Sequence, residues 1–324
     1  MKYYLAPMMG YTDCYLRNLA ENLYEESIQT FSEMIVDKAI IHNEIKTIQK
    51  HFLNNNKSAI QIAGSDPQEI QQAINILNKI ELIQHVNFNL GCPSSIVQEN
   101  MLGLALTQNQ DLVKKCLEKI IKYNGSFSVK CRLGLGLKED KNYIYNYLEL
   151  FLNLGIKDVF VHCRNGVLNL DTKKNRTIPQ INYDLFLECK KNFPKLNLIP
   201  NGEIDNKETF DFLIQNNISN FMIGRQFAKD LLFLEKLSMH KIKNKQEAVN
   251  KFFNDIEDYK FLNLNLIKKS LFTILTNIPN AKNVRNDIST FKDINLLHVY
   301  LDSSPIWNYS TSLMPHLFSK DIDT

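Results

Sequence analysis

Residues 85–98 read HVNFNLGCPSSIVQ, and the reading of this stretch decides the fold. His85–Leu90 is a β-type run with asparagine at alternate positions. Alternation puts Asn87 and Asn89 on one face and Val86, Phe88 and Leu90 on the other. The run breaks at Gly91-Cys92-Pro93, which signals a loop. A thiol therefore stands on a loop at the carboxyl end of a strand, beside side-chain amides. Parallel α/β folds do their chemistry at that end. A lone cysteine is also commonly a small buried hydrophobe, so the rest of the chain must choose between the two readings.

The same kind of run recurs on both sides. Tyr3–Met8, Gln29–Ile35, Ser58–Ile62, His85–Leu90, Phe127–Arg132, Asp158–His162, Leu196–Pro200 and Asn220–Ile223 make eight candidate strands. Helical periodicity fills the gaps, as in Pro67–Ile80, Asp111–Ile121 and Asn142–Leu154. Strands alternating with helices mean a parallel sheet, and eight such units predict a (β/α)8 TIM barrel. The competing arrangement is an open doubly wound sheet. After about Lys236 the rhythm stops. Gln246–Leu262, Asn265–Thr276 and Phe291–Leu301 read as helices, joined by Asn277–Ile288. The expected organisation is a barrel over residues 1–238 and a small all-helical domain over 239–324.

Composition sets bounds. The 324 residues are 44% hydrophobic and 23% charged, ample for a large core. No apolar run is long enough to cross a bilayer, and the N-terminus goes straight into a strand pattern, so no membrane and a cytoplasmic location are expected. Six cysteines form no C-x-x-C pair and no zinc spacing, so neither metal nor disulfides are expected. The net charge of +3 is too small to argue for nucleic acid by itself. Residues 241–292 differ, with ten Lys or Arg against five Asp or Glu, a local net of +5. A basic helical module beside a barrel mouth suits RNA phosphates, although a solvated helix surface has the same composition.

The strand ends, taken in order, carry Pro7-Met8-Met9, Glu33, Gln61, Asn87 and Asn89 with Cys92, Lys130 with Arg132, His162 with Arg164, Asn201-Gly202 and Gly224-Arg225. Polar residues and glycines thus fall repeatedly at one end of the repeat, as an active-site rim requires. The last two pairs follow strands seven and eight, whose loops hold phosphate in many barrels. Glycine admits backbone N–H groups close to a phosphate and arginine adds a bidentate fork.

These residues resemble the flavin-dependent tRNA-dihydrouridine synthases over nearly the whole chain. The segments that carry the resemblance are Ala6–Asp13, Phe31–Met34, Gln61–Pro67, Asn87–Val97, Val129–Gly134, Val161–Arg164, Asn201–Ile204 and Ile223–Arg225. Gly64–Pro67, Ser94–Gln98 and Lys174–Pro179 are most similar to the A-type branch, which acts on D-loop uridines around position 20 or 20a. The chain departs from the family's usual pattern at Leu104-Ala105-Leu106, Asn165–Leu168 and Glu203.

The resemblance implies FMN, NADPH as reductant, and a tRNA substrate gripped at its D-loop elbow, with a uridine turned out of the RNA fold. Hydride reaches C6 of uracil and a proton reaches C5. Cys92 matches the family's general acid. An ordinary thiol, with a pKa near 8.5, is mostly protonated at neutral pH and suits that role. Pro7, Met8, Gln61, Lys130, His162, Asn201, Gly202, Gly224 and Arg225 match flavin contacts. Asn89 and Arg132 match substrate contacts, and Arg164 is equally readable as a substrate contact or a structural ion-pair residue. Lys130 has a structural alternative too, as a partner of Glu33, and His162 as a satisfied core histidine. Lys268, Lys269, Lys282 and Arg285 are the expected tRNA contacts on the helical segment. A monomer is expected. Two other functions stay open from the residues: a flavin barrel reducing a small molecule, and a non-catalytic tRNA-binding protein.

Overall fold

Asp66 and Pro67 illustrate how the chain sets its rhythm. The Asp66 carboxylate accepts from the Gln68 N–H at 2.7 Å, and Pro67 fills the first helical position, where no N–H is needed. Asp13, Asn109, Asp140, Asn182 and Asn206 start five further helices in the same way. Each cap lies at the junction where a strand pattern hands over to a helix.

The computed structural model describes residues 1–54, 57–276 and 278–308. Its strands are β1 (Lys2–Leu5), β2 (Ile28–Val36), β3 (Ala59–Ala63), β4 (His85–Asn89), β5 (Ser126–Arg132), β6 (Asp158–His162), β7 (Asn197–Asn201) and β8 (Asn220–Ile223). All pair in parallel with their sequence neighbours, and β1 also pairs with β8, so the sheet closes as a barrel. The (β/α)8 expectation holds. Helices α1 (Cys14–Tyr24), α2 (Asp37–His42), α3 (Glu44–His51), α4 (Pro67–Leu77), α5 (Ser95–Glu99), α6 (Gln110–Ile120), α7 (Lys141–Asn153), α8 (Tyr183–Asn192) and α9 (Lys207–Gln215) fill the crossovers. After β8 come α10 (Arg225–Lys229), α11 (Phe233–Lys236), α12 (Lys245–Ile256), α13 (Leu264–Phe272), α14 (Ala281–Thr290) and α15 (Ile294–Asp302).

Two apolar layers hold the barrel. A continuous core lies between strands and helices. Inside the barrel, Tyr4, Phe31 and Phe160 meet edge to face or tilted, with Ile199 and Met222, and plug its floor. Space for a site is left only above that plug.

Two expectations are corrected. The first strand stops at Leu5, not Met8: Ala6 N–H still reaches the Ile223 carbonyl, but Pro7 has no N–H to continue the ladder. Pro7 and Met8 therefore belong to the loop, where Met8 O accepts from Tyr11 and Thr12 N–H. The joining segment Asn277–Ile288 contains most of a helix, α14, with Ala281, Val284 and Ile288 buried on one face. Asn280, in the left-handed conformation, turns the chain into it after Pro279. Asn277 and residues 309–324 lie outside the described residues.

The C-terminal helices sit against α1. Tyr15 donates to Phe261 O and accepts from Asn263 N–H, and Asn18 donates to Asp255. They are thereby held beside the loop that follows β1.

Candidate active site

A cavity of about 960 Å³ opens at the carboxyl ends of the strands. Pro7, Met8, Gln61, Asn89, Cys92, Lys130, Arg132, His162, Asn201, Gly202, Gly224 and Arg225 all line it. Residues up to 218 positions apart in sequence thus meet as the strand ends predict.

Cys92 stands on a loop built around one amide. Asn89 Oδ1 accepts from the Gly91 and Cys92 N–H groups, each at 3.0 Å, and Asn89 Nδ2 donates to Gln61 Oε1 at 2.8 Å. Arg132 Nε donates to Gly91 O at 2.9 Å and its Nη1 to Asn165 O at 3.0 Å. Arg132 therefore ties the Cys92 loop to the loop after β6. Leu104 N–H reaches Cys92 O, and Gly103 turns there with φ of +56°. A Cβ on Gly103 would stand 2.8 Å from that carbonyl, so only glycine fits. The other five cysteines are buried, and Cys92 is the one thiol lining the cavity. Burial pushes Cys116, Cys131 and Cys189 up to about 12. The choice among six thiols is made by the fold.

The cavity is cationic. Burial lowers Lys130 to about 8, with the Arg132 charge adding to the effect. No carboxylate is among the groups acting on it, and its Nζ has no hydrogen-bond partner among the described residues. Glu33 goes elsewhere: it accepts from the Gly10 N–H and lies 4.0 Å from His51. The Lys130–Glu33 pairing is thus absent. His162 is held neutral, far below its ordinary range, by burial first and then by Arg132, Lys130, Arg164 and Arg225. Burial likewise lowers Arg132, to about 10.

Glycines keep the far side bare. Gly202 has φ of +115°, and a Cβ there would stand 2.6 Å from Cδ2 and 2.9 Å from Nε2 of His162. At Gly224 a Cβ would stand 3.2 Å from Met8 Sδ. Asn201 donates to Met222 O at 2.9 Å, joining the two strand ends. Arg225 then opens α10, whose first-turn N–H groups have no intrahelical acceptor.

Some predicted residues fall outside the cavity. Arg164 is 1% exposed and bonds Glu203 and Pro179 O, the structural alternative of its two readings. Lys268 donates to Ser289 O at 2.9 Å and Phe291 O at 2.6 Å, closing the end of α14. Lys269 donates to Gly10 O and lies 4.8 Å from the centre of the Tyr11 ring, fastening the β1 loop. Arg285 donates to Leu275 O at 3.0 Å, while Lys282 is exposed. Arg176 and Lys229 also line the cavity and were not singled out as site residues. Lys229 stands one helical turn beyond Arg225, a spacing visible in the sequence.

A profile of the family described as dihydrouridine synthase (Dus) matches residues 4–298. The chain belongs to the dihydrouridine synthase family. It is similar to the tRNA-dihydrouridine(20/20a) synthase of Synechocystis, 28% identical over 298 residues, 88% of this chain and 87% of that one. The enzyme of that name from Xanthomonas campestris is 30% identical over 235 residues, 72% of this chain and 69% of the other. A solved structure of morphinone reductase with tetrahydroNAD aligns at a TM-score of 0.49 and 11% identity, covering 81% of this chain and 94% of that one. Among the described residues, no helix is long and apolar enough to cross a membrane. None of them form a cluster of three or more His, Cys, Asp or Glu suited to a metal.

Proposed function

We propose that the chain is a tRNA-dihydrouridine synthase that uses FMN, with NADPH as reductant, to reduce a D-loop uridine at position 20 or 20a. The observation that carries this reading is the meeting of the one cavity-lining thiol with Asn89, Gln61, unpaired Lys130 and the glycine-bare end, in a single space. Its volume lies within the range of ligand and cofactor sites.

The residues fit FMN. Gly202, Gly224, Asn201 and Arg225 would hold the phosphate, where a side chain at Gly202 would meet the His162 ring and the first turn of α10 has no intrahelical acceptor for its N–H groups. Gln61 and Asn89 each use one amide N–H inside the protein and keep one. They would bond ring and base edges. Pro7 and Met8 would pack on the ring. When bound, FMN supplies the hydride that reaches C6 of uracil.

The protein does the rest. Lys130 stays charged at neutral pH and, without a carboxylate partner, stabilises negative charge on a bound ring. Neutral His162 adds a hydrogen-bonding group without further positive charge. The Cys92 thiol holds the proton for C5. Arg132 is close enough for its charge to interact with Cys92, so it stabilises the thiolate left behind. Residues 239–324 serve as the tRNA-binding domain beside the catalytic domain over 1–238. Lys282, Arg285 and Lys269 meet phosphates, whereas Lys268 acts through α14. We place the protein in the cytoplasm, as a monomer.

The test maps dihydrouridine in unmodified tRNA after incubation with the FMN-loaded protein and NADPH. Wild type should yield product in the D-loop. Cys92→Ala should bind FMN and oxidise NADPH yet make little product. A wild-type flavoprotein that oxidises NADPH and never modifies tRNA refutes the reading.

A further inference from the structure

Below Asn89 the amides continue as one directed chain of hydrogen bonds down the barrel interior. Gln61 Nε2 donates to Asn87 Oδ1 at 2.6 Å, and Asn87 Nδ2 donates to Ser128 Oγ at 2.8 Å. Ser128 Oγ lies 2.6 Å from His85 Nε2, and His85 Nδ1 lies 2.9 Å from Ser126 Oγ, which donates to Gln84 O at 3.1 Å. Asn87 and Ser128 are fully buried.

The direction is forced from the top. The atom of Asn89 that faces two backbone N–H groups must be its oxygen, so its nitrogen faces Gln61. Gln61 must then present oxygen to Asn89 and nitrogen to Asn87. Asn87 in turn presents nitrogen to Ser128. Ser126 gives its one hydrogen to Gln84 O, so its oxygen accepts from His85 Nδ1–H, and the Ser128 hydroxyl, which accepts from Asn87, gives its hydrogen to His85 Nε2. His85 therefore carries its proton on Nδ1, as the Ser126 bond requires. Burial lowers His85 to about 4, so the ring is neutral at pH 7 and this tautomer is complete. One inverted amide would put N–H against N–H or oxygen against oxygen inside the barrel.

We propose that Asn87, Ser128 and the Nδ1–H tautomer of His85 are positioning residues: through Gln61 and Asn89 they fix the Cys92 loop and the amide edges that face the cavity. The proposal rests on the reading of Cys92, Gln61 and Asn89 as working groups. Without Ser128 Oγ, the Asn87 Nδ2 loses its acceptor and the Asn87 amide is free to shift, so Gln61, which donates to Asn87 Oδ1, is held firmly only from the Asn89 side.

The experiment compares wild type, Ser128→Ala and Ser128→Thr as full-length FMN-loaded protein. Imidazole nitrogen NMR, with His85 assigned by the loss of its signal in His85→Gln, should find the proton on Nδ1 in wild type. Ser128→Ala should lower kcat for dihydrouridine about tenfold, as one buried hydrogen bond is worth, with KM for tRNA within about twofold. It should also shift the His85 signal. Ser128→Thr, which keeps the hydroxyl, should restore both. A wild-type proton on Nε2, an unchanged kcat in Ser128→Ala, or failure of Ser128→Thr to restore turnover each overturns the proposal. If Ser128→Ala does not fold, the wild-type tautomer still decides. If wild-type protein leaves tRNA unmodified, the proposed function fails, and the NMR result judges the directed chain separately.

Discussion

Gly202→Ala and Gly155→Ala separate crowding from backbone strain. Both glycines have positive φ, +115° at Gly202 and +73° at Gly155. Gly155 closes α7, with Ile156 N–H on Phe151 O, and a Cβ there meets nothing within 4 Å. Its replacement by alanine meets conformational strain alone, roughly 1–2 kcal/mol. At Gly202 the same atom would stand 2.6 Å from the His162 ring and 2.8 Å from Ile181 Cδ1. Overpacking then adds roughly 1–3 kcal/mol to a strain of similar size. The expected loss is about 2–5 kcal/mol, or roughly 4–12 °C in melting temperature for a chain this long. Thermal unfolding of the flavin-free variants measures this. FMN titration then separates stability from binding: Gly202→Ala should weaken FMN at least tenfold, and Gly155→Ala should leave it unchanged. Equal melting temperatures for the two variants, or wild-type FMN affinity in Gly202→Ala, would refute the reasoning.

Other perturbations test the charges. Lys130 is lowered from 10.5 to about 8 on folding, so the unfolded chain holds more protons between those values and stability climbs as pH rises through that window. In flavin-free protein, Lys130→Met should remove the climb and be more stable at pH 7 by up to about 3 kcal/mol, read by denaturant unfolding at pH 7 and pH 10. An identical pH slope would show that the lysine is not the source. Lys268→Met should cost about 1–2 kcal/mol through the two carbonyls it leaves unpaired, with unfolding midpoints as the check. Lys282→Glu with Arg285→Glu should weaken tRNA binding at least tenfold at low salt while NADPH oxidation continues; unchanged affinity would exclude that face of α14.

What the sequence disclosed follows from locality. Strand periodicity is a property of consecutive residues, so Asp158–His162 and Asn220–Ile223 were legible to the residue. Strand ends carry side chains of one rim, so most cavity residues were legible once eight units had been counted. Pairings across the fold were not. Arg164 and Glu203 lie 39 positions apart, and nothing in either segment names the other. The Lys269–Gly10 contact spans 259 positions. Helix α14 was hidden because its buried face is only Ala281, Val284 and Ile288 among asparagines and charges, following a proline. Cys92 stood out by its Gly-Cys-Pro loop, but that the other five cysteines are buried only the fold shows.

Electrostatics link these observations. Below the rim the barrel wall is a neutral ladder of amides, a serine and a neutral histidine, and its floor is aromatic. Lys130, Arg132 and Arg225 stand above it; Glu33 is engaged with Gly10 and Glu203 with Arg164, while Asp37, Glu69 and Asp205 also line the cavity. Depressed values at Lys130 and Arg132 have burial as their first cause, the mark of cations held out of water, and the same burial keeps His162 neutral. A cavity built this way is destabilising when empty and is relieved by an anionic occupant. Binding of a phosphate-bearing cofactor should therefore stabilise the fold beyond its own contacts, because it brings counter-charge to buried lysine and arginine groups.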